Sequence, residues 1–201
     1  MTTMKLMYRT IIIDKHGKVI KRSPLKHSKS FLIQFLQYIE SISAHAYSTN
    51  PTAAVAIKAV NGTTYNFALN SGAANLYFAK LAIAGIDTYG IVCGLGTNAA
   101  ANTDNSLQTQ VKTGTATNQM SYSAMSYLTT AANGTNIDLL WSRTFINTSG
   151  GDVAVKEIGM YVSGYDTATF QRFICIIRDL STNTVANGNS LVIQYIYRTT
   201  V

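Results

Sequence analysis

Hydrophobic and polar positions follow two different periods along this chain. Residues 6–13 form a β-branched run, Asp14 and Gly17 bracket a turn, and 18–22 return to strand-like composition. That pattern predicts an N-terminal hairpin. Phe31, Leu32, Phe35, Leu36, Ile39 and Ile42 then recur at helical spacing, with Gln34, Gln37, Glu40 and Ser41 on the other side. This predicts one amphipathic helix over about 29–44, capped by Ser28 or Ser30 and packed through Phe31, Phe35 and Ile39.

From residue 52 the period shortens to two. Segments 52–60 and 63–69 flank Asn61-Gly62, a hairpin signal. Segment 76–83 reads equally as strand or short helix, and 89–94 as a short apolar strand. Residues 97–118 are rich in Thr, Asn, Ala and Gln and predict a long polar connection with a helical turn near 104–111. Strand patterns follow at 119–128, 137–146, 153–162, 169–178 and 191–197, with turns at Asn133-Gly134 and at Ser149-Gly150-Gly151. Strands at this spacing predict a mainly β fold, an antiparallel β-sandwich or jelly-roll-like body. The expected organisation is a basic N-terminal arm or hairpin (1–28), an amphipathic helix and linker (29–50) and a β-sandwich body (51–201). In 153–162 both faces are largely apolar, so a second cover is expected, either the helix or another subunit.

Charge divides the chain unevenly. The net charge of +7 lies in the first thirty residues, where eight Lys or Arg face Asp14 alone. The remainder is balanced, so any contact with nucleic acid is expected only through the basic arm. The start lacks the pattern of a secretion signal, and no apolar run approaches the roughly 18–20 residues of a membrane span. Cys93 and Cys175 sit in apolar strand contexts and read as buried thiols.

Candidate chemistry is sparse. His16, His27 and His45 have no cysteine, histidine or carboxylate at ligand spacing, and no Gly-x-Ser-x-Gly element accompanies them. Gly94-Leu95-Gly96-Thr97 is a fragment of a phosphate loop without its lysine or its helix. No catalytic, cofactor-binding or metal-binding residues are assigned, and the expectation is a protein that is not an enzyme and has no cofactor or small-molecule substrate.

Several motifs recur together over 90–178. They are the Gly94-Leu95-Gly96-Thr97 turn, Asp104 with Leu107, the 114–122 segment, Trp141-Ser142-Arg143, and Glu157-Ile158-Gly159. A strand carrying Arg172 and a last strand at 191–195 complete the series, and the Asp14–Gly17 turn and Ser30-Phe31 precede it. This series resembles a diffuse group of tailed-bacteriophage virion proteins, usually described as tail or structural proteins. The resemblance implies a non-enzymatic virion component whose partners are copies of itself and other virion proteins.

Arg143, Glu157 and Arg172 also have a direct physical reading. Each lies on a different strand with apolar neighbours two residues away, where a charge is costly unless paired. The expectation is a structural ion-pair cluster with Glu157 between two guanidinium groups. The expected assembly is a homo-oligomeric ring or collar of the tail, neck or baseplate. The alternative is a receptor- or carbohydrate-binding β-sandwich module of the virion, which an exposed aromatic groove would favour.

Overall fold

The β-branched start of the chain becomes an interior strand of a large sheet. The computed structural model describes residues 3–28, 31–43, 54–67 and 82–200. In chain order these form β1 (Thr3–Ile13), β2 (Val19–Arg22), β3 (Lys26–His27), α1 (Ile33–Ser43), β4 (Val55–Lys58), β5 (Thr64–Phe67) and β6 (Gly90–Gly94). There follow β7 (Ser121–Tyr122), β8 (Ser126–Asn133), β9 (Asn136–Ile146), β10 (Val153–Tyr165), β11 (Gln171–Val185) and β12 (Ser190–Thr200).

The larger sheet runs β2-β1-β12-β9-β7, with β3 beside β1 and β8 beside β9. A three-stranded sheet, β11-β10-β6, packs against it, and β4-β5 form a separate hairpin. Every ladder is antiparallel. The mainly β, antiparallel sandwich predicted from strand spacing is therefore the fold. Its core is built by the inner faces of the two sheets, with Tyr195, Ile193, Leu191 and Phe145 on one side and Ile158, Met160 and Val162 on the other. Tyr197 reaches across, its hydroxyl 3.9 Å from the Met160 sulfur.

Residues 3–28 do not stand apart as an arm. β1 pairs with β12 from Thr3↔Thr200 to Ile13↔Ser190. Leu6, Tyr8 and Ile12 belong to the core. The physical reason lies in the alternation itself: Leu6, Tyr8, Thr10 and Ile12 give one strand face that is buried throughout. The exposed cations of this region are Lys5 near the start of β1 and, in the turn and short strands after it, Lys15, Lys18, Lys21, Arg22 and Lys26.

The helix is shorter than predicted and is rotated about its axis. Phe31 precedes it and bridges to Ile177 of β11, while the Leu32 N–H donates to the Ile176 carbonyl. With its entry fixed in this way, α1 buries Gln34, Tyr38 and Ser41, two of which were expected to face solvent. Ser41 satisfies itself locally by donating from its hydroxyl to the Tyr38 carbonyl at 2.7 Å. Phe35 packs on the core and stacks on Phe31, ring centroids 4.3 Å apart. Ile39 is 43% exposed, at the rim of an apolar hollow of about 190 Å³ formed with Trp141 and Tyr197. Of the predicted packing face, Phe31 and Phe35 hold and Ile39 does not.

The second face of β10 is covered, but neither by the helix nor by a neighbour. Segment 95–111 of the same chain lies over Glu157, Gly159 and Tyr161, and its Leu107 N–H donates to the Tyr161 hydroxyl at 2.7 Å. The helical turn expected near 104–111 is absent. Gln110 instead bridges to Gly94 at the sheet edge, so backbone pairing replaces the turn. The predicted 119–128 strand is two elements, β7 and β8, separated at 123–125, and β8 runs on past 128 to Asn133. Most of segment 76–83 and His45 lie outside the described residues.

Candidate functional site

Beneath segment 95–111 lies the chain's most elaborate polar site. Glu157 projects from the middle of β10 and is completely buried. Its Oε1 accepts the backbone N–H groups of Gly96 at 3.1 Å and Thr109 at 2.8 Å. Oε2 accepts the Gln108 N–H at 3.0 Å and the Arg178 Nε at 2.9 Å. Arg178, on the neighbouring β11, is also buried and spends its remaining donors on the same loop. Nη1 pairs with Asp104 Oδ2 at 2.6 Å, and Nη2 donates to the Asn98 carbonyl at 3.0 Å.

The glycines of the Gly94-Leu95-Gly96 fragment now have a role. A Cβ on either residue would lie 2.5 Å from Glu157 Oε1. Backbone N–H groups that cradle a phosphate in a phosphate loop here hold the chain's own carboxylate. Gly159 makes the approach possible from the sheet side, since a Cβ there would lie 2.6 Å from the Ile177 carbonyl oxygen. Burial lowers the affinity of Arg178 for its proton, but hydrogen bonds to Glu157 and Asp104 outweigh it, and its pKa is raised overall. The arrangement is saturated, because both Glu157 oxygens and all three Arg178 nitrogens are already bonded. It holds a loop of more than a dozen residues rigidly on the sheet.

The predicted trio is not assembled. Glu157 is paired and buried as expected, but its partner is Arg178, with neither Arg143 nor Arg172 in contact. Arg143, on β9, donates to five carbonyls: Ser123, Tyr89, Ile91, Ile83 and Ile86. Its guanidinium also lies 4.8 Å from the Tyr122 ring centre. Burial, the largest influence, lowers its pKa. Gly90 lets this ring of carbonyls close, with φ of +90° and a would-be Cβ 3.1 Å from Arg143 Nη1. Arg172 sits at the tip of the β10-β11 hairpin, 2.8 Å from Asp166 and 3.8 Å above the Tyr65 ring.

Arg178 and Asp104 were missed, although the signal was present. Ile176 and Leu180 flank Arg178 at two residues on either side, the criterion that singled out Arg172. Ending the predicted strand at 178 hid it, whereas β11 continues to Val185.

The other candidates play no part in this site. Cys93 and Cys175 are buried and unbridged, and burial pushes the Cys93 thiol up to about 12. His16 is in the exposed turn after β1, and His27 lines an open cleft with Lys26 and Asp179. Among the described residues, no group of three or more His, Cys, Asp or Glu side chains could hold a metal ion. No helix among them is long and apolar enough to cross a membrane. Compared with protein-family models, curated proteins and solved structures, the chain matches none.

Proposed function

We propose that this chain is a structural subunit of a tailed-bacteriophage virion, in the tail, neck or baseplate, and that it works through contacts between copies of itself and with other virion proteins. The observation that carries this reading is how its charge is distributed. The deeply placed charges, Glu157, Arg178 and Arg143, are consumed by internal bonds that fix loops to sheets. Large apolar side chains meanwhile remain outside, including Leu36, Leu128, Ile83 and Phe170. A rigid body whose exposed surface is poor in charge and studded with apolar side chains is suited to association.

The placement of aromatics supports the same reading over a sugar-binding module. Tyr122, Tyr161 and Tyr195 are core residues, and Tyr38 and Trp141, which line the hollow beside Ile39, are themselves at most 9% exposed and offer little ring face to a sugar. The resemblance of the Gly94–Gly96 turn and of Glu157-Ile158-Gly159 to virion proteins adds to it. Electron microscopy of the intact particle tests the proposal. The expected result is density for this fold in several symmetry-related copies along the tail, neck or baseplate. Absence of the chain from purified particles by mass spectrometry would overturn it.

A further inference from the structure

Leu6, Tyr8 and Ile12 of β1 face the core, so Lys5, Met7 and Arg9 lie on the opposite, outer face of the larger sheet. Register carries that face across the neighbouring strands. Met7, Ile196, Leu140 and Leu128 form one apolar row, from β1 through β12 and β9 to β8. On one side of this row Arg9 stands in register with Gln194, and on the other Lys5 with Arg198 and Asp138. Arg22, opposite Ile11, adds a further cation. Among the described residues of these strands, four cations thus share the face with one carboxylate. Asp138 is already engaged, since both its oxygens accept from Arg198 at 2.6 Å. Arg9 donates from Nε to Gln194, an uncharged partner.

Between the cations the apolar row sinks into a trough of about 320 Å³, lined by Arg9, Leu25, Leu128, Leu140, Ile196 and Arg198. Ile196 at its floor is buried, whereas Leu25 and Leu128 stand exposed. A flat partner such as a bilayer surface does not reach a recessed floor, but a protruding side chain does. A second patch of the same chain has the complementary form. On α1, Ile33, Leu36 and Glu40 are all exposed, and their spacings of three and four put them on one helix face. Ile33 is 48% exposed and Leu36 66%. From Ile33 to Glu40 this stripe is about 10 Å long. The row from Ile196 to Leu128 crosses two strand spacings, also about 10 Å.

We propose that α1 of one copy of this chain docks in the trough of the next, with Ile33 and Leu36 over the apolar row and Glu40 beside Arg9. This rests on the reading that the chain acts through contacts between copies. Charge selects the occupant: the face has an excess of cations, and the one charge on α1 is the carboxylate of Glu40. The apolar row contains no aromatic side chain, so it offers a nucleic acid no surface for base stacking. The two patches lie on different parts of the subunit. α1 packs on β4 and β11, while the trough is on the face of the larger sheet turned away from the β11-β10-β6 sheet. The contact is therefore heterologous. It repeats head to tail, and it makes a ring where the rotation between subunits closes.

The test follows association of the full chain and of the Leu36→Lys and Leu128→Glu variants by sedimentation velocity over a wide concentration range. Both positions are exposed, so thermal unfolding should be unchanged and serves as the control for folding. The parent is expected to form dimers and larger species as concentration rises. Each variant should weaken association at least about tenfold, because one brings a cation to the cationic face and the other a carboxylate towards Glu40. Leu36→Lys keeps its trough and Leu128→Glu keeps its helix face. An equimolar mixture should therefore form one-to-one dimers and nothing larger. Parent and variants that associate equally well, or a mixture that forms no dimers, overturn the docking while the reading of subunit contacts stands. A parent that stays monomeric at every concentration overturns it as well, and the particle then decides the broader reading separately. A monomeric parent that binds a short DNA duplex, more tightly at low salt, assigns the cationic face to a polyanion instead.

Discussion

Arg143 and Arg178 are both buried guanidinium groups on strands, yet they are neutralised in opposite ways. Arg178 meets two carboxylates, Glu157 and Asp104, and its pKa is raised. Arg143 meets no carboxylate; five backbone carbonyls surround it, and burial lowers its pKa. The first solution pairs full charges, and the backbone N–H groups of Gly96, Gln108 and Thr109 complete the balance. The second wraps a loop around one charge and uses carbonyl dipoles in place of a counter-ion. Both fasten an irregular segment to a sheet, 95–111 by the carboxylate route and 83–91 by the carbonyl route. The difference should appear when a single partner is removed. Loss of Glu157 leaves Arg178 with Asp104 alone and three N–H groups without their acceptor, whereas loss of a guanidinium strands several weaker groups.

The largest effect is expected at Glu157. Glu157→Ala should destabilise the fold by about 3–5 kcal/mol, because buried Arg178 loses its fully buried partner and keeps only Asp104, and three N–H groups lose their acceptor. Urea titration followed by tryptophan fluorescence at Trp141 would measure it. Glu157→Gln keeps the shape and two acceptor lone pairs, and should cost less than the alanine. Equal losses for the two would mean that packing, not charge, dominates the site. Next comes Gly94→Ala, which pushes a methyl group to 2.5 Å from the same carboxylate oxygen and 2.6 Å from the Thr109 carbonyl oxygen. Both obstacles are held in place, so a loss of about 2–3 kcal/mol is expected in the same titration.

Arg143→Lys sharpens the comparison from the other side. Lysine keeps the charge but offers three donors from one nitrogen and cannot span five carbonyls. A loss of about 1–2 kcal/mol is expected, with faster hydrogen exchange across 83–91 and no change across 95–111. Matching changes in both segments would show that the two sites are one cooperative unit and undo the contrast.

The sandwich was legible because strand period and turn residues are local signals. Asn61-Gly62 and Asn133-Gly134 stand between paired strands as their chemistry requires. The depth of Glu157 was also legible, from Val155 and Gly159 on its own strand face. Its partner was not, because which arginine sits opposite depends on register, and a two-residue period does not reveal register between strands. The bulges of the β10-β11 ladder shift that register further, near Val155/Glu157 and Met160/Tyr161. The cover over β10 was illegible for a different reason. Segment 95–111 is polar in composition, and its contribution is made by backbone N–H groups, which every sequence has. The helix face failed on tertiary grounds: Phe31 and Leu32 dock on β11 first, and that contact sets the rotation of everything after them.

The smallest effect is expected at Arg172, which resembles the other two arginines in sequence and differs in place. Its partner Asp166 already accepts the Ala168 and Phe170 N–H groups through Oδ1, so that the carboxylate stays bonded when the arginine is removed. The guanidinium is partly open to solvent and rests on the Tyr65 ring, where its charge remains hydrated. Arg172→Ala should therefore cost no more than about 1 kcal/mol, the sum of a screened ion pair and a partly exposed cation–π contact. Added salt should shrink that difference, while it leaves the penalty of Glu157→Ala nearly unchanged because water and ions do not reach the buried site. Measuring both variants at low and high salt separates the two kinds of site. A large, salt-insensitive loss at Arg172 would mean that the hairpin tip is buried in the folded protein and that its charge belongs with Arg178.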